Sequence, residues 1–345
     1  MRRLPLSVGA VAGLALVLLL PGQAAAGPVD RGEGDQEGPA GGRDGQTIHA
    51  EAVVFDESAN GRGDSAGPLT STSTSWSPPP CWYAPTWTPE QLRAHAEEFW
   101  DPASQPAGHG QSALGWMWDH YDEGNPYTGF NEEEAGNGMW WGPVENENHP
   151  DIMERLSCSE IPFWVETGDV PDVENALSPE VLAELAYERL RVPGTSVELS
   201  PADLDGQVVN LATWAWSDGG DFAPVSVTAR LESWGIWATT TARPVSLRLD
   251  PGTGDAVSHP ASGECAIGAD GAVGSPFDPS RAEDDPPCGV TYLRATPAGE
   301  TYPLTASITW EIGWEGSDGS GDVLPDAVFE TTYDVEVQEI QAIVR

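Results

Sequence analysis

The chain has 345 residues, 39% of them hydrophobic, and carries 55 acidic against 15 basic side chains, for a net charge of −40. That length can bury a sizeable core in one to three domains, while the charge repels nucleic acid and anionic membrane surfaces, whose binding depends on Lys and Arg neutralising phosphates. No lysine occurs anywhere, so the phosphate-loop lysine, the Schiff base and the Ser–Lys dyad are all excluded, and no nucleotide partner is expected.

Residues 1–26 read as a secretory signal peptide. Arg2 and Arg3 give a basic start, Leu4 to Leu20 is an apolar run, and Ala24-Ala25-Ala26 supplies a small-residue cleavage pattern. The run is short for a membrane span and ends at Pro21-Gly22. Two arginines so close to Met1 lack a fuller twin-arginine motif, which favours the general secretory route. Cleavage removes two arginines and no acid, taking the charge from −40 to −42. The mature protein is therefore expected to be secreted or cell-surface associated, without a membrane anchor, and its acidic surface is read as solvation rather than a cation site.

Four cysteines, Cys81, Cys158, Cys265 and Cys288, allow three disulfide connectivities in such a compartment. The pairing Cys81–Cys158 and Cys265–Cys288 is favoured because each bridge then lies inside one expected domain. No two cysteines have the C-x₂₋₄-C spacing of a zinc site.

Residues 27–80 form a low-complexity linker rich in Gly, Asp, Ser and Thr, too poor in large apolar groups to offset its ordering entropy, and are expected to be disordered or loosely attached. Ile48 to Phe55 is the one candidate edge strand. Gly63-Asp64-Ser65-Ala66-Gly67 matches the G-x-S-x-G pattern but lacks the flanking strand and helix that expose such a serine. Arg62-Gly63-Asp64 is an integrin-type tripeptide read as chance.

Residues 81–193 form a small Trp-rich domain with two helices and eight of the fifteen tryptophans. Thr88-Pro89-Glu90-Gln91 combines an N-cap, a first-turn proline and a capping-box glutamine, predicting a helix to about Trp100. Ser178-Pro179-Glu180 repeats the signal, and Val181, Leu182, Leu185, Ala186 and Leu190 recur at helical spacing before Pro193. Between them lies a loop-rich stretch dense in aromatics and acids. Its candidate ligand-binding residues are Trp116, Trp118, Asp119, Glu133, Trp140 and Trp141, because indoles stack on sugar rings and carboxylates about 5 to 10 Å apart serve glycoside chemistry. His109, His120 and His149 with Asp119 or Asp151 lack metal-site spacing, and Asp122, Asn125 and Glu132 to Glu134 lack the fixed positions of a calcium loop. No metal and no cofactor is expected. The commoner use of such aromatics is a minimal core braced by a disulfide.

From residue 194 to 345 the hydrophobic period is two. Val225, Val227, Ala229 and Leu231 oppose Ser226, Thr228 and Arg230; Val245, Leu247 and Leu249 oppose Ser246 and Arg248; and the stripe Leu304, Ala306, Ile308, Trp310, Ile312, Trp314 is the longest. About seven short strands predict a mainly β fold: an immunoglobulin-like antiparallel β-sandwich at the C-terminus, preceded by the small Trp-rich loop and helix region, with a barrel as the other solution. Trp214 and Trp216, like Trp310 and Trp314, share a face, and core packing is expected over an aromatic platform.

Cys288-Gly289-Val290-Thr291-Tyr292-Leu293-Arg294, Tyr302-Pro303, Ile308-Thr309-Trp310-Glu311-Ile312-Gly313-Trp314 and Val337-Gln338-Glu339-Ile340-Gln341-Ala342 resemble a group of secreted actinomycete proteins of uncharacterised function. The resemblance covers the last 150 or so residues, and Pro79-Pro80-Cys81-Trp82 more loosely. It implies an actinobacterial envelope or secreted protein and transfers no catalytic residue. Some similar sequences carry an ATP/GTP-binding label, which the missing lysine and missing phosphate loop contradict here. The expected function is a secreted, non-catalytic binding or structural protein whose partner is a cell-wall glycan or an envelope protein. The alternative is a glycan-binding or glycan-hydrolysing protein that uses segment 116–149.

Overall fold

A computed structural model describes residues 53–340, apart from 63–65, 105–107, 195, 202–205, 219–221 and 282–283. The expected signal at 1–26, the start of the linker, and Gly63, Asp64 and Ser65 of the two motif look-alikes lie outside the described residues.

The short strands Val54–Asp56 (β1), Gly67–Pro68 (β2) and Thr70–Ser71 (β3) precede Cys81–Trp87 (β4). Helix Pro89–Phe99 (α1) opens on a complete capping box: Gln91 N donates to Thr88 Oγ1 at 3.3 Å and Thr88 N donates to Gln91 Oε1 at 2.8 Å. Helix His109–Tyr121 (α2) occupies part of the stretch expected to be loop. Gly108 offers it no side-chain cap, so α2 is held by Met117, Trp118 and Tyr121 packing into an aromatic cluster rather than by local signals. Gly138–Glu145 (β5), Ile152–Arg155 (α3) and Phe163–Glu166 (β6) follow. Helix Pro179–Arg189 (α4) begins where Val181 N donates to Ser178 Oγ at 3.3 Å.

The remaining chain is strand: Arg191–Val192 (β7), Glu198–Ser200 (β8), Gln207–Val208 (β9), Ala212–Ser217 (β10), Val225–Leu231 (β11), Ile236–Asp250 (β12), Ala256–His259 (β13), Glu264–Ala266 (β14), Val273–Gly274 (β15), Gly289–Tyr292 (β16), Tyr302–Gly316 (β17), Gly321–Val335 (β18) and Val337–Gln338 (β19). The fold is mainly β. A seven-stranded antiparallel sheet runs β1-β11-β12-β17-β18-β3 with β14 beside β12, and a five-stranded sheet runs β13-β16-β10-β15 with β8 beside β10.

Alternation decides the inner face of the large sheet. Val225, Val227, Ala229 and Leu231 are buried while the intervening Ser226, Thr228 and Arg230 turn away. Ala242 lies opposite Ile312 and Leu247 opposite Ile308, with a register shift between Pro244 and Ser246. That bulge corrects the expected stripe: Val245 is turned out to solvent, whereas Leu247 and Leu249 stay buried. In β17 the stripe from Leu304 to Ile312 is buried as expected, and Trp314 is half-buried.

Helix α4 packs on β11, β12 and β17. Its Leu182, Ala183, Leu185 and Ala186 are buried, Ala238 and Ala242 keep the sheet surface low beneath it, and Thr240 Oγ1 donates to the Ala183 carbonyl at 2.8 Å. The core therefore crosses the boundary expected at residue 193, because α4 has no apolar face left to bury elsewhere. The linker expectation is corrected in the same way over its described part. β1 pairs with β11 and β3 with β18, with Phe55 packed against the core and the Arg189 guanidinium 3.9 Å from its ring centroid. Of the edge strand expected at Ile48 to Phe55, Val54 and Phe55 are paired in β1, and 48–52 lie outside the described residues.

Both disulfides pair as expected. Cys265, opposite Leu247 on the large sheet, is bonded to Cys288, which abuts β16 of the smaller sheet, so this bridge joins the two sheets. Cys81–Cys158 closes the segment holding α1, α2 and β5. Two such bonds point to an oxidising environment. Among the described residues, no helix is long and apolar enough to cross a membrane.

Candidate functional site

The three-stranded sheet β4-β5-β6 separates two cores. Trp140 and Trp141 are neighbours on β5, so they point to opposite faces. Trp141 is fully buried in the main core, edge-on to Trp234 with centroids 5.7 Å apart. Trp140 is fully buried in the smaller core with Leu92, Ala96, Tyr121 and Phe130. Neither ring is a platform, and both placements correct the candidate list, since a sheet covered on both sides hides consecutive side chains equally.

The other candidates are scattered around the smaller core. Trp116 is half exposed and stacks on His120 at 5.0 Å. Burial among Trp116, Tyr121 and Tyr127 holds the His120 imidazole below its ordinary pKa, against the pull of Asn125 and Asp119. Trp118 donates Nε1–H to the Trp100 carbonyl at 2.9 Å, stands edge-on to Phe130, and lines a shallow groove with Glu97, Asp101 and Glu123. Asp119 accepts from Asn125 Nδ2 at 2.9 Å, and Glu133 is exposed in the 3-10 helix Gly129–Glu134. The carboxylates read as a weak calcium pattern are already engaged: Arg93 binds Asp122 at 3.3 Å and also Glu132, and lies over the Phe130 ring. His149 faces Glu154 at 3.2 Å. Among the described residues, no group of three or more His, Cys, Asp or Glu side chains is placed to hold a metal ion.

Two carboxyls of α4 carry a signal that segment 116–149 lacks. Glu184 and Glu188 lie one helical turn apart on the edge of α4, and burial raises both above the ordinary carboxyl range. Trp76 Nε1 donates to Glu184 at 3.4 Å, and Asn146 Nδ2 donates to Glu188 at 3.0 Å and to the Pro79 carbonyl at 3.0 Å. The i, i+4 spacing is visible in the sequence, but it is also the spacing of any solvated helix edge, and only the packing of Trp76 and Asn146 distinguishes it.

Their linkage has a definite sign. A carboxyl raised in the folded state binds its proton where the unfolded chain has lost it, so stability increases as pH falls from neutrality toward the ordinary glutamate range, and the gain is complete there. Wild type is expected to melt higher at about pH 5.5 than at about pH 7.5, and a Glu184→Gln, Glu188→Gln variant to lose most of that difference. Equal pH shifts in the two melting curves would refute this assignment.

The outward face of the large sheet is the other open surface. Strand register places Arg230 opposite Trp237, Thr228 opposite Thr239, and Thr239 opposite Glu315. One step further along, Thr241 lies opposite Gly313, and then Arg243 opposite Glu311. Two grooves of about 430 Å³ and 220 Å³ open on this face and meet at Thr239. Thr228 and Thr239 share a hydroxyl hydrogen bond of 2.7 Å, and Arg230 reaches Asp56 at 3.7 Å. Among the described residues, Arg243 has no carboxylate within ion-pairing distance, although Glu315 and Asp322 line the same groove. The Ser and Thr alternation of β11 is readable from sequence, whereas the grouping of Trp237, Arg243 and Gly313 needs the register of three strands.

The tryptophan pairs of the β region divide. Trp214 and Trp310 are fully buried, the former against Phe277 and Arg281, while Trp216 and Trp314 are half-buried. Comparison with protein-family models, with curated proteins and with solved structures gives no match for this chain.

Proposed function

We propose that this chain is a secreted, non-catalytic binding protein of the cell envelope or extracellular space, built as a disulfide-braced β scaffold that presents one face of its large sheet to a ligand. The observation that carries this reading is the paired groove on that face, where hydroxyls, guanidinium groups and carboxylates lie along the strands beside the exposed indole of Trp237. Two disulfides and the basic-then-apolar start at residues 1–26 support export, and the actinomycete resemblance agrees with it. The partners in keeping with the surface are a wall glycan or an envelope protein. Polyanions are disfavoured by a net charge of −40.

One observation favours a second reading, glycan hydrolysis: Glu184 and Glu188 are neighbouring carboxyls raised by burial, the electrostatic condition for an acid and base pair. Both already accept hydrogen bonds that fasten Trp76 and Asn146 to α4, which supports a structural role. The deciding experiment incubates the full chain with isolated cell walls and with soluble neutral polysaccharides, measuring protein depletion from the supernatant and release of reducing ends. Depletion without release is expected. Release that disappears in Glu184→Gln, Glu188→Gln would overturn the non-catalytic reading, and absence of depletion on every material would overturn binding.

A further inference from the structure

We infer that the outward face of the large sheet is a binding site for an uncharged polysaccharide chain, laid along β12 from Trp237 to Arg243. This rests on the binding reading above and names its ligand and its residues.

A polar outer face is ordinary for an antiparallel sheet with one side in solvent. Three features go beyond that. First, Gly313 lies near the C-terminal end of the 15-residue strand β17 but is paired on both sides, with Thr241 and Val323, and glycine is unfavourable at such a position relative to alanine. The pairing irregularity of β17 with β18 falls at Glu311, and Gly313 itself is in regular register with Val323. Its φ is outside the left-handed region, and an added Cβ would meet only the Asp322 carbonyl oxygen, at 3.7 Å. The missing side chain leaves a notch opposite Thr241, in the groove lined by Arg243 and Asp322. Glycine in a strand interior often marks close approach of a ligand.

Second, Trp237 is 38% exposed at the end of the same face, across from Arg230. An indole offers the apolar faces of a sugar ring a flat contact and keeps one N–H donor for a hydroxyl. Six residues separate Trp237 from Arg243, about 20 Å of strand, which is the reach of a short run of sugar units rather than of one ring.

Third, the polar groups suit hydroxyls better than charges or peptides. The unpaired Arg243 fork donates, the Glu315 carboxylate accepts, and Thr239 and Thr241 do either, so a ring bearing several hydroxyls can satisfy all of them. Acids outnumber arginines on the face, where Asp56, Glu311 and Glu315 stand among Arg230 and Arg243. That balance repels an acidic polysaccharide. A protein partner is the poorer fit because interface centres are depleted of acidic charge, whereas this face sets Glu311 and Glu315 beside its exposed valines, Val54 and Val323.

The test is gel retardation of the full chain in native gels containing hydroxyethyl cellulose, mixed-linkage β-glucan or, as the anionic control, polygalacturonate. Retardation by a neutral polymer is expected, with affinity falling roughly tenfold in Trp237→Ala and in Arg243→Ala. Gly313→Val is the sharper variant. Valine suits an exposed strand position, so the thermal midpoint is expected to hold or rise while retardation is lost. Wild-type protein that sediments with cell walls while all three variants sediment equally well would overturn this site and leave the binding reading standing. Retardation by polygalacturonate alone would overturn the ligand class. No retardation and no sedimentation by any material would overturn both.

Discussion

A Cys81→Ser, Cys158→Ser variant is expected to lose about 4–5 kcal/mol of stability, and to lose it unevenly. The bridge spans 77 residues of sequence, and loop-closure entropy in the unfolded chain grows with that length. The enclosed segment holds α1, α2, β5 and α3, whose own core is small: Leu92, Ala96, Tyr121, Phe130 and Trp140, with partly buried aromatics around them. A core of that size supplies little beyond the ordering cost of its chain. The large sheet has no such dependence, since β12 pairs along its length with β17, and β17 with β18. Hydrogen exchange of the variant should therefore show amides in 88–166 opening while those in 302–335 keep their protection. Uniform loss of protection would mean that the smaller core is not separately stabilised. The Cys265–Cys288 bridge, with a separation of 23, is worth about 3 kcal/mol on the same basis and should loosen the five-stranded sheet instead.

What was legible in the sequence was local or periodic. The starts of α1 and α4 were readable because Thr88 with Gln91, and Ser178 with Pro179, act within one turn. Strands β11 and β17 were readable because strict alternation buries one side. The disulfide pairing followed from keeping each bridge inside one expected domain. What was hidden depends on distant partners. Helix α2 has a glycine N-cap and earns its turn from aromatics contributed by β5 and the loop at Phe130. The bulge at Val245 breaks the phase of β12 without any turn residue beyond Pro244 to announce it. Strands β1 and β3 are two or three residues long and exist only as edges of a sheet built by later sequence. The candidate site was misread for the same reason. Adjacent Trp140 and Trp141 look like a platform in one dimension, whereas Trp237, Thr241 and Gly313 become neighbours only once strand register is known.

Trp140→Ala is expected to cost about 3–5 kcal/mol, against less than about 1 kcal/mol for Trp116→Ala, although both were candidate ring platforms. Trp140 is fully buried, with Tyr127, Tyr121 and Trp164 edge-on at 4.7, 5.0 and 5.4 Å. Its loss opens a cavity among aromatic rings that cannot all collapse into it. A second loss adds to this one. Trp140 Nε1 donates to the Phe130 carbonyl at 3.0 Å, and Phe130 and Asn131 both hold left-handed backbone, with φ of 54° and 57°. Such positions cost about 1–3 kcal/mol each in residues other than glycine and persist only where surrounding contacts impose them. Here those contacts are the Trp140 hydrogen bond, the burial of the Phe130 ring and the Arg93 guanidinium 5.0 Å from its centroid. Trp140→Phe separates the two contributions, since it keeps a ring while removing the donor, and should fall between wild type and alanine. Chemical denaturation of the three variants gives the order directly. If Trp140→Ala unfolds at the wild-type midpoint while polysaccharide retention disappears, Trp140 is a contact residue and the buried placement is wrong. If retention survives in the folded fraction and the midpoint drops, the ring belongs to the core, and recognition lies on the sheet face around Trp237.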